Sequence, residues 1–296
     1  MLGAPMYIVS NPALVGAQCR AGIIGAFPAL NARGPGALDE WLDRIEAGNA
    51  GEPAGPVGVN LIVHRTNDRL AADLATCVRR RVRLVITSLG VQPEVNAALH
   101  EAGGLVLHDV TTQRHARKAV EAGADGLILV AAGAGGHAGT QSPFALLAET
   151  RQWFDGPLVL AGAIGSGRGI LAARILGADL VSIGSPFIAT EEANAVAGYK
   201  RMVVESSAAD IVYSGLFTGV AGNYLAGSIR NAGYDPHDLP PASGDKELAV
   251  SRAATAWRDV WGCGQGIGAI DAVRPAAALV DRLLHEFRAA SAAARA

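Results

Sequence analysis

The chain has 296 residues, of which 50% are hydrophobic and 18% charged, with a formal net charge of −2. This composition excludes a disordered chain, and the near-neutral balance gives no electrostatic reason to expect a nucleic acid or a membrane surface as partner. The length suits one large barrel or two ordinary domains.

Met1 to Leu30 is apolar but carries no basic leader and is broken by Gly3, Pro5, Pro12, Gly16, Gly22 and Gly25, so it reads poorly as a secretory signal. No window approaches the roughly 18 uninterrupted apolar residues of a membrane helix. Cys19, Cys77 and Cys263 are odd in number, far apart and without CxxC spacing. They read as three reduced thiols of a cytoplasmic protein rather than as a metal site.

Strands are predicted near Leu2–Met6 and at Ile23–Ala26, Val57–Leu61 and Leu84–Ser88. A pattern then recurs: an Ala-rich helical stretch ends at Gly, and a continuous apolar run follows. It spans Ala97–Asp109, Ala119–Val130 and Ala172–Gly184, with a further strand at Leu158–Ala161. Gly at the helix C′ position takes the left-handed conformation without a Cβ clash, and an unbroken apolar run suits a strand covered on both faces. Eight alternating units in the first 190 residues predict an α/β chain closed into a (β/α)8 TIM barrel, with an open doubly wound sheet as the runner-up.

After Phe187 the pattern changes. Thr190–Ser207 reads as a helix, and Gly215–Asn231 is punctuated by Gly and carries Phe217 and Tyr224. Tyr234–Asp245 reads as a loop, and Glu247–Val260 and Pro275–Ala290 read as helices. The expected organisation is a barrel over residues 1–190, a mainly helical cap over 191–262, and a segment over 263–296 that returns to the barrel.

The strongest local signal is Ala131-Ala132-Gly133-Ala134-Gly135-Gly136-His137-Ala138-Gly139-Thr140, directly after a strand. In a barrel this loop lies at the C-terminal face, where catalytic residues sit. Its small residues let backbone lie against a planar ligand, and His137 is its one titratable group, suited to acid, base or donor work near neutral pH. The plain alternative is a His capping a carbonyl in a Gly loop. A second signal runs from Ala161-Gly162-Ala163-Ile164 through Gly165-Ser166-Gly167-Arg168-Gly169 into a helix, whose first N–H groups suit a phosphate. A third, Ile183-Gly184-Ser185-Pro186-Phe187, offers an amide and a hydroxyl at the next strand end. Loops after the seventh and eighth barrel strands jointly form a common phosphate site. A dinucleotide fingerprint fits poorly, because position 170 is Ile and no acid ends the following strand. Asn60 ends a strand and can both donate and accept, or start a turn. Asp109, after His108, can bind hydroxyls or cap a loop. GxSxG, HExxH and paired carboxylates at strand ends do not occur, which weighs against a hydrolase.

Several segments together, in order, resemble the nitronate monooxygenase (2-nitropropane dioxygenase) family of FMN barrels. They are Ala4-Pro5-Met6 with Ala21-Gly22-Ile23-Ile24-Gly25, Gly58-Val59-Asn60-Leu61, and Gly123-Ala124-Asp125 through Gly135-Gly136-His137-Ala138-Gly139. Ala161-Gly162-Ala163-Ile164, Gly184-Ser185-Pro186-Phe187 and Gly262-Cys263-Gly264-Gln265-Gly266-Ile267-Gly268 complete the set. The chain departs from the family where Glu is frequent and Gly133 stands, where Gly is frequent and Ala163 stands, and where Thr is common and Ser185 stands. Relatives tend to place a Lys near the flavin, where this chain reads Leu107-His108-Asp109-Val110-Thr111.

The resemblance implies FMN as cofactor, with the phosphate on Gly162, Ala163, Gly184 and Ser185. The isoalloxazine is then expected near Pro5, Met6 and Asn60 and in contact with Gln265, with Asp109 on the ribityl hydroxyls, Gly136 also at the cofactor and His137 facing the substrate. It implies oxidation of alkyl nitronates with O2 as co-substrate. An NAD(P)H-dependent reductase of quinones or enoyl thioesters is the alternative on the same scaffold, and a flavin- or phosphate-ligand-binding barrel without turnover is a third reading. A small-molecule substrate, NAD(P)H as a candidate reductant and a homodimer as a candidate assembly complete these expectations.

Overall fold

A computed structural model describes residues 1–51, 53–241 and 257–295. Eight parallel strands make one sheet: β1 (Leu2–Gly3), β2 (Gly25–Pro28), β3 (Val57–Ile62), β4 (Leu84–Ser88), β5 (Leu105–Val110), β6 (Gly126–Val130), β8 (Leu158–Ala161) and β9 (Leu180–Ile183). The order β1-β9-β8-β6-β5-β4-β3-β2 would leave β1 and β2 as edges. A parallel bridge between Leu2 and Ile24 joins them, with the Gly3 amide donating to the Ile24 carbonyl at 2.8 Å. The sheet is therefore a closed (β/α)8 barrel, and the open doubly wound alternative is set aside.

Alternation along each strand sorts two apolar layers. Leu2, Ala26, Leu84, Ile86, Leu107, Ile128 and Val159 form a cluster of their own, the filling of the barrel. Their neighbours Leu127, Leu129, Leu158, Leu160, Val181 and Ile183 belong to a second cluster, shared with the helices outside. This double burial explains why these strands read as unbroken apolar runs.

The same alternation separates His108 from Asp109. Leu107 points inward, so Asp109 does too, at the C-terminal mouth of the barrel. His108 points outward and is 5% exposed, with Nδ1 2.6 Å from Thr87 Oγ1. Burial lowers its pKa to about 4.

The region after the barrel contains structure that the sequence pattern did not reveal. The helix expected over Thr190–Ser207 is confined to Ala197–Glu205, because Thr190 is held in extended form by a parallel bridge to Arg274. Strands β10 (Ile211–Ser214) and β11 (Gly222–Leu225) form an antiparallel hairpin within the Gly-punctuated stretch, followed by the helix Ala226–Asn231. The helix expected over Glu247–Val260 and the end of the loop expected over Tyr234–Asp245 fall largely outside the described residues. The C-terminal helix, Ala276–Ala293, runs back along the barrel. No helix among the described residues is long and apolar enough to cross a membrane.

The helix Gly167–Ile175 corrects another expectation. Its N-terminus does not face a ligand: the Gly167 amide donates to Glu286 Oε2 of the C-terminal helix at 2.7 Å, and the Gly169 amide to the Ser166 hydroxyl at 3.2 Å. The positive end of the helix dipole is neutralised by a carboxylate of the protein itself. Gly167 is there for packing, since a Cβ on it would lie 2.2 Å from the Phe287 nitrogen. Gly165 likewise abuts the Gly266 carbonyl, at 2.2 Å from an added Cβ. Helix propensity alone would make Gly167→Ala stabilising by up to about 1 kcal/mol. The backbone clash reverses the sign, and urea denaturation should show a loss of about 1–3 kcal/mol.

Candidate active site

The loop after β6 carries almost no side chains, so its position is set by backbone. The Gly133 carbonyl accepts two amides, from Ala163 at 3.1 Å and Gln265 at 2.9 Å. Asn223 Nδ2 of the hairpin donates to the Ala134 carbonyl at 2.7 Å. Gly136 and His137 then form β7 and pair antiparallel with β11, Gly222 opposite His137 and Asn223 opposite Gly136. At Gly135 and Gly136 nothing larger fits, because an added Cβ would lie 2.8 Å from the Gly264 nitrogen and 3.2 Å from the Trp257 ring. Gly136 also has φ +67°, which favours glycine.

This pairing holds the His137 side chain. Its Nε2 lies 3.0 Å from Thr218 Oγ1, and its ring meets Trp257 edge-on at 5.4 Å between centroids. Burial lowers its pKa to about 4, so the imidazole is neutral at pH 7 and retains a basic lone pair.

Across the mouth, three inward-facing polar groups end consecutive strands. Asn60 Nδ2 donates to the Ile86 carbonyl at 3.0 Å and to Ser88 Oγ at 2.7 Å. The Ser88 hydroxyl donates in turn to Asp109 Oδ2 at 2.6 Å. Both Asn60 amide hydrogens are thus spent, and its Oδ1 is left to accept from a ligand N–H. Asp109 is held in apolar surroundings, and burial raises its carboxyl to about 6, against the opposing pull of the Ser88 hydrogen bond.

The remaining residues singled out in the sequence lie along the rest of the rim. Gly162 has φ +133°, and Ala163 is left-handed at φ +55° despite its Cβ. The Ala163 amide is already bonded to Gly133, so it has no N–H to offer a ligand. The amides of Gly162, Gly184 and Ser185 enter no backbone hydrogen bond among the described residues. Ser185 Oγ accepts from the Gly264 amide at 2.8 Å, and its hydroxyl also lies in hydrogen-bonding contact with the buried Cys263 thiol. An added Cβ on Gly184 would touch Met6 Sδ at 3.5 Å, so the Pro5-Met6 turn sits beside the Gly184-Ser185 step. The Gln265 side chain lies next to Gly133, where an added Cβ would be 3.0 Å from its Oε1 and 3.1 Å from Ala163 Cβ. The departures at Gly133 and Ala163 therefore share one packing contact with Gln265, and Gly133 leaves the room that Ala163 occupies.

Sequence reasoning missed Ser88, Thr218 and Trp257. Ser88 was legible as the last residue of a predicted strand two registers from Asn60. Thr218 and Trp257 had no local signal, because their roles arise from the pairing of the hairpin with the His137 loop.

The comparisons with known proteins converge on one family. The family model described as nitronate monooxygenase matches residues 1–286. A nitronate monooxygenase of Paraburkholderia phytofirmans is 27% identical over 284 residues, covering 82% of this chain and 78% of that protein. Among solved structures, a nitroalkane oxidase from Streptomyces ansochromogenes superposes with TM-score 0.84 at 28% identity, covering 99% of this chain and 96% of that one. FabK from Thermotoga maritima superposes with TM-score 0.81 at 26% identity, covering 99% and 94%. Barrel and site together define an oxidoreductase enzyme of a flavin-dependent class. The chain belongs to the nitronate monooxygenase family.

Two buried groups of the site titrate with opposite consequences for folding. Asp109, raised from 3.8 to about 6, binds a proton more readily folded than unfolded, so it makes stability fall as pH rises through that window. His137, lowered from 6.5 to about 4, makes stability rise with pH between those values. Asp109→Asn removes only the falling component. Thermal melts from pH 4 to 6 should therefore climb more steeply with pH in the variant than in the wild type. An unchanged slope means that the Asp109 carboxyl titrates normally.

Proposed function

We propose that the protein oxidises alkyl nitronates, and the nitroalkanes that give rise to them, with FMN as cofactor and O2 as the second substrate. The observation that carries this reading is His137: a neutral imidazole, the one titratable group of its loop, held at the mouth of a barrel by a dedicated hairpin. The likeness in sequence and fold to enzymes named for nitronates and nitroalkanes supports it.

The donor set suits FMN. The unengaged amides of Gly162, Gly184 and Ser185, with the Ser185 hydroxyl, would hold the phosphate, and the left-handed turn at Gly162-Ala163 shapes that cradle. Asn60 Oδ1, left as an acceptor, matches an imide N–H at the pyrimidine edge, with Asp109 beside it. Pro5, Met6, Gly136 and Gln265 would line the ring system. Bound there, FMN would supply the electron-accepting chemistry that oxidation of the substrate by O2 needs.

The chain's own residues do the rest. Trp257 and the hairpin screen His137 from water, which keeps the imidazole uncharged, with a lone pair open to a proton. His137 can then take the α-proton of a neutral nitroalkane, or, when a nitronate binds directly, orient the anion. Trp257 meets the His137 ring, and Phe217, Tyr224 and Tyr234 pack behind it in one aromatic cluster of the cap.

A visible spectrum of the purified protein, followed anaerobically on adding a nitronate, tests the cofactor and the substrate together. Flavin bands bleached by the nitronate are expected. Bleaching by NADH or NADPH alone would favour the reductase reading, and absence of flavin bands after FMN is added would remove the cofactor. His137→Ala should retain FMN and lose about 10²–10⁴-fold in kcat/KM on a neutral nitroalkane. Unchanged turnover would take His137 out of the mechanism.

A further inference from the structure

The cap hairpin contributes more than a cover. Thr218 lies in the turn between β10 and β11, and its single hydroxyl meets three partners. Its Oγ1 is 2.9 Å from the Val220 carbonyl, 3.0 Å from His137 Nε2 and 3.3 Å from the Tyr224 hydroxyl. A carbonyl oxygen can only accept, so the one Thr218 proton goes to Val220. The two lone pairs of Oγ1 are left for donors, and the Val220 amide, at 3.4 Å, is the most distant of the groups that face them. Tyr224 is fully buried, and Thr218 is its hydroxyl's partner among the described residues, so the phenol donates there. His137 Nε2, at 3.0 Å the nearest group facing Oγ1 other than the Val220 carbonyl, then donates into the second lone pair in place of the more distant Val220 amide.

We infer that Thr218 is a positioning residue that fixes His137 as the Nε2–H tautomer, so that Nδ1 is the atom presented to substrate. Nδ1 has no hydrogen-bond partner among the described residues. A neutral imidazole carries one N–H, so a donating Nε2 leaves the lone pair on Nδ1. The burial that keeps the ring uncharged at neutral pH makes the tautomer the deciding variable.

The inference rests on the nitroalkane reading for its catalytic consequence, and on hydrogen-bond chemistry alone for the tautomer. In the proton-transfer step the substrate Cα–H bond breaks, and its proton forms the Nδ1–H bond of an imidazolium. The electron pair moves into the C=N bond of the nitronate, and the charge settles on the nitro oxygens. With Nε2–H anchored on Thr218, the resulting imidazolium needs no ring flip to accept the proton. Loss of the hydroxyl would let the ring populate the other tautomer, with a proton where the base should be.

The experiment is a long-range 1H–15N correlation spectrum of the FMN-loaded protein labelled with 15N-histidine. His137 is assigned by difference with His137→Gln. Nε2 is expected as the protonated nitrogen in the wild type. In Thr218→Val, which keeps the shape and removes the hydroxyl, the Nδ1–H form should appear. The kcat on a neutral nitroalkane should fall about tenfold or more, with a smaller loss on the preformed nitronate. Thr218→Ser should restore both the spectrum and the rate. An Nδ1–H tautomer in the wild type overturns the assignment even if the Val variant does not fold. An unchanged tautomer in Thr218→Val overturns it too. If the wild type shows Nε2–H but oxidises neither substrate, the tautomer stands and the nitronate reading fails.

Discussion

A glycine loop has no side chains with which to hold itself, and each of its amides and carbonyls still needs a partner. Much of the architecture beyond the barrel answers that need. The carbonyl of Gly133 takes amides from the phosphate-side turn and from the closing Gly-Gln-Gly segment, which ties three distant parts of the chain to one oxygen. The hairpin adds its own edge as a third strand to Gly136–His137. Tyr199 reaches in to donate to the Gly262 carbonyl, and so anchors the segment against which Gly136 packs. His137 is placed as firmly as a strand residue, although it sits in a run of Gly and Ala.

The barrel mouth has two chemically distinct sides. The arc over β3, β4 and β5 is a directional hydrogen-bond relay, Asn60 to Ser88 to Asp109, that ends on a carboxyl poorly disposed to ionise. The arc over β8, β9 and the β1 loop is made of unengaged amides and turns. Strain collects there as well. The non-glycine residues Ile8, Leu89 and Ala163 all have positive φ and all follow strands at this face. Such conformations persist where surrounding contacts over-determine them. For Ile8 those contacts are visible: Asn31 accepts its amide at 2.9 Å, and Asn194 donates to its carbonyl at 3.0 Å. The stretch Leu107–Thr111, where the resemblance leads one to expect a lysine, instead places the acidic Asp109 at the mouth.

How much of this was legible in advance depended on whether the signal was local. Barrel strands announced themselves through unbroken apolar runs after C-terminal glycines, and Leu84–Ser88 and Leu158–Ala161 fall where the pattern placed them. The hairpin did not, because Ile211–Ser214 and Gly222–Leu225 are short and bracket a Gly-rich turn. The second of them pairs with a two-residue strand about 85 residues earlier, Gly222 opposite His137. The N-terminus of Gly167–Ile175 misled for a related reason. A Gly-rich entry to a helix looks the same whether its amides wait for a phosphate or meet a carboxylate from residue 286.

The sequence by itself determined the class of fold and marked the loop that carries His137, the proposed base. Periodicity and glycine placement are properties of neighbouring residues, and family motifs preserve their order. Tertiary structure decided which way each of these groups points. It sent His108 outward and Asp109 inward, gave one helix N-terminus to Glu286, spent the Ala163 amide on Gly133, and set Thr218 and Trp257 against His137. Those outcomes turn on a single hydrogen bond or ring contact between residues tens of positions apart, and closure of the barrel is what brings them together.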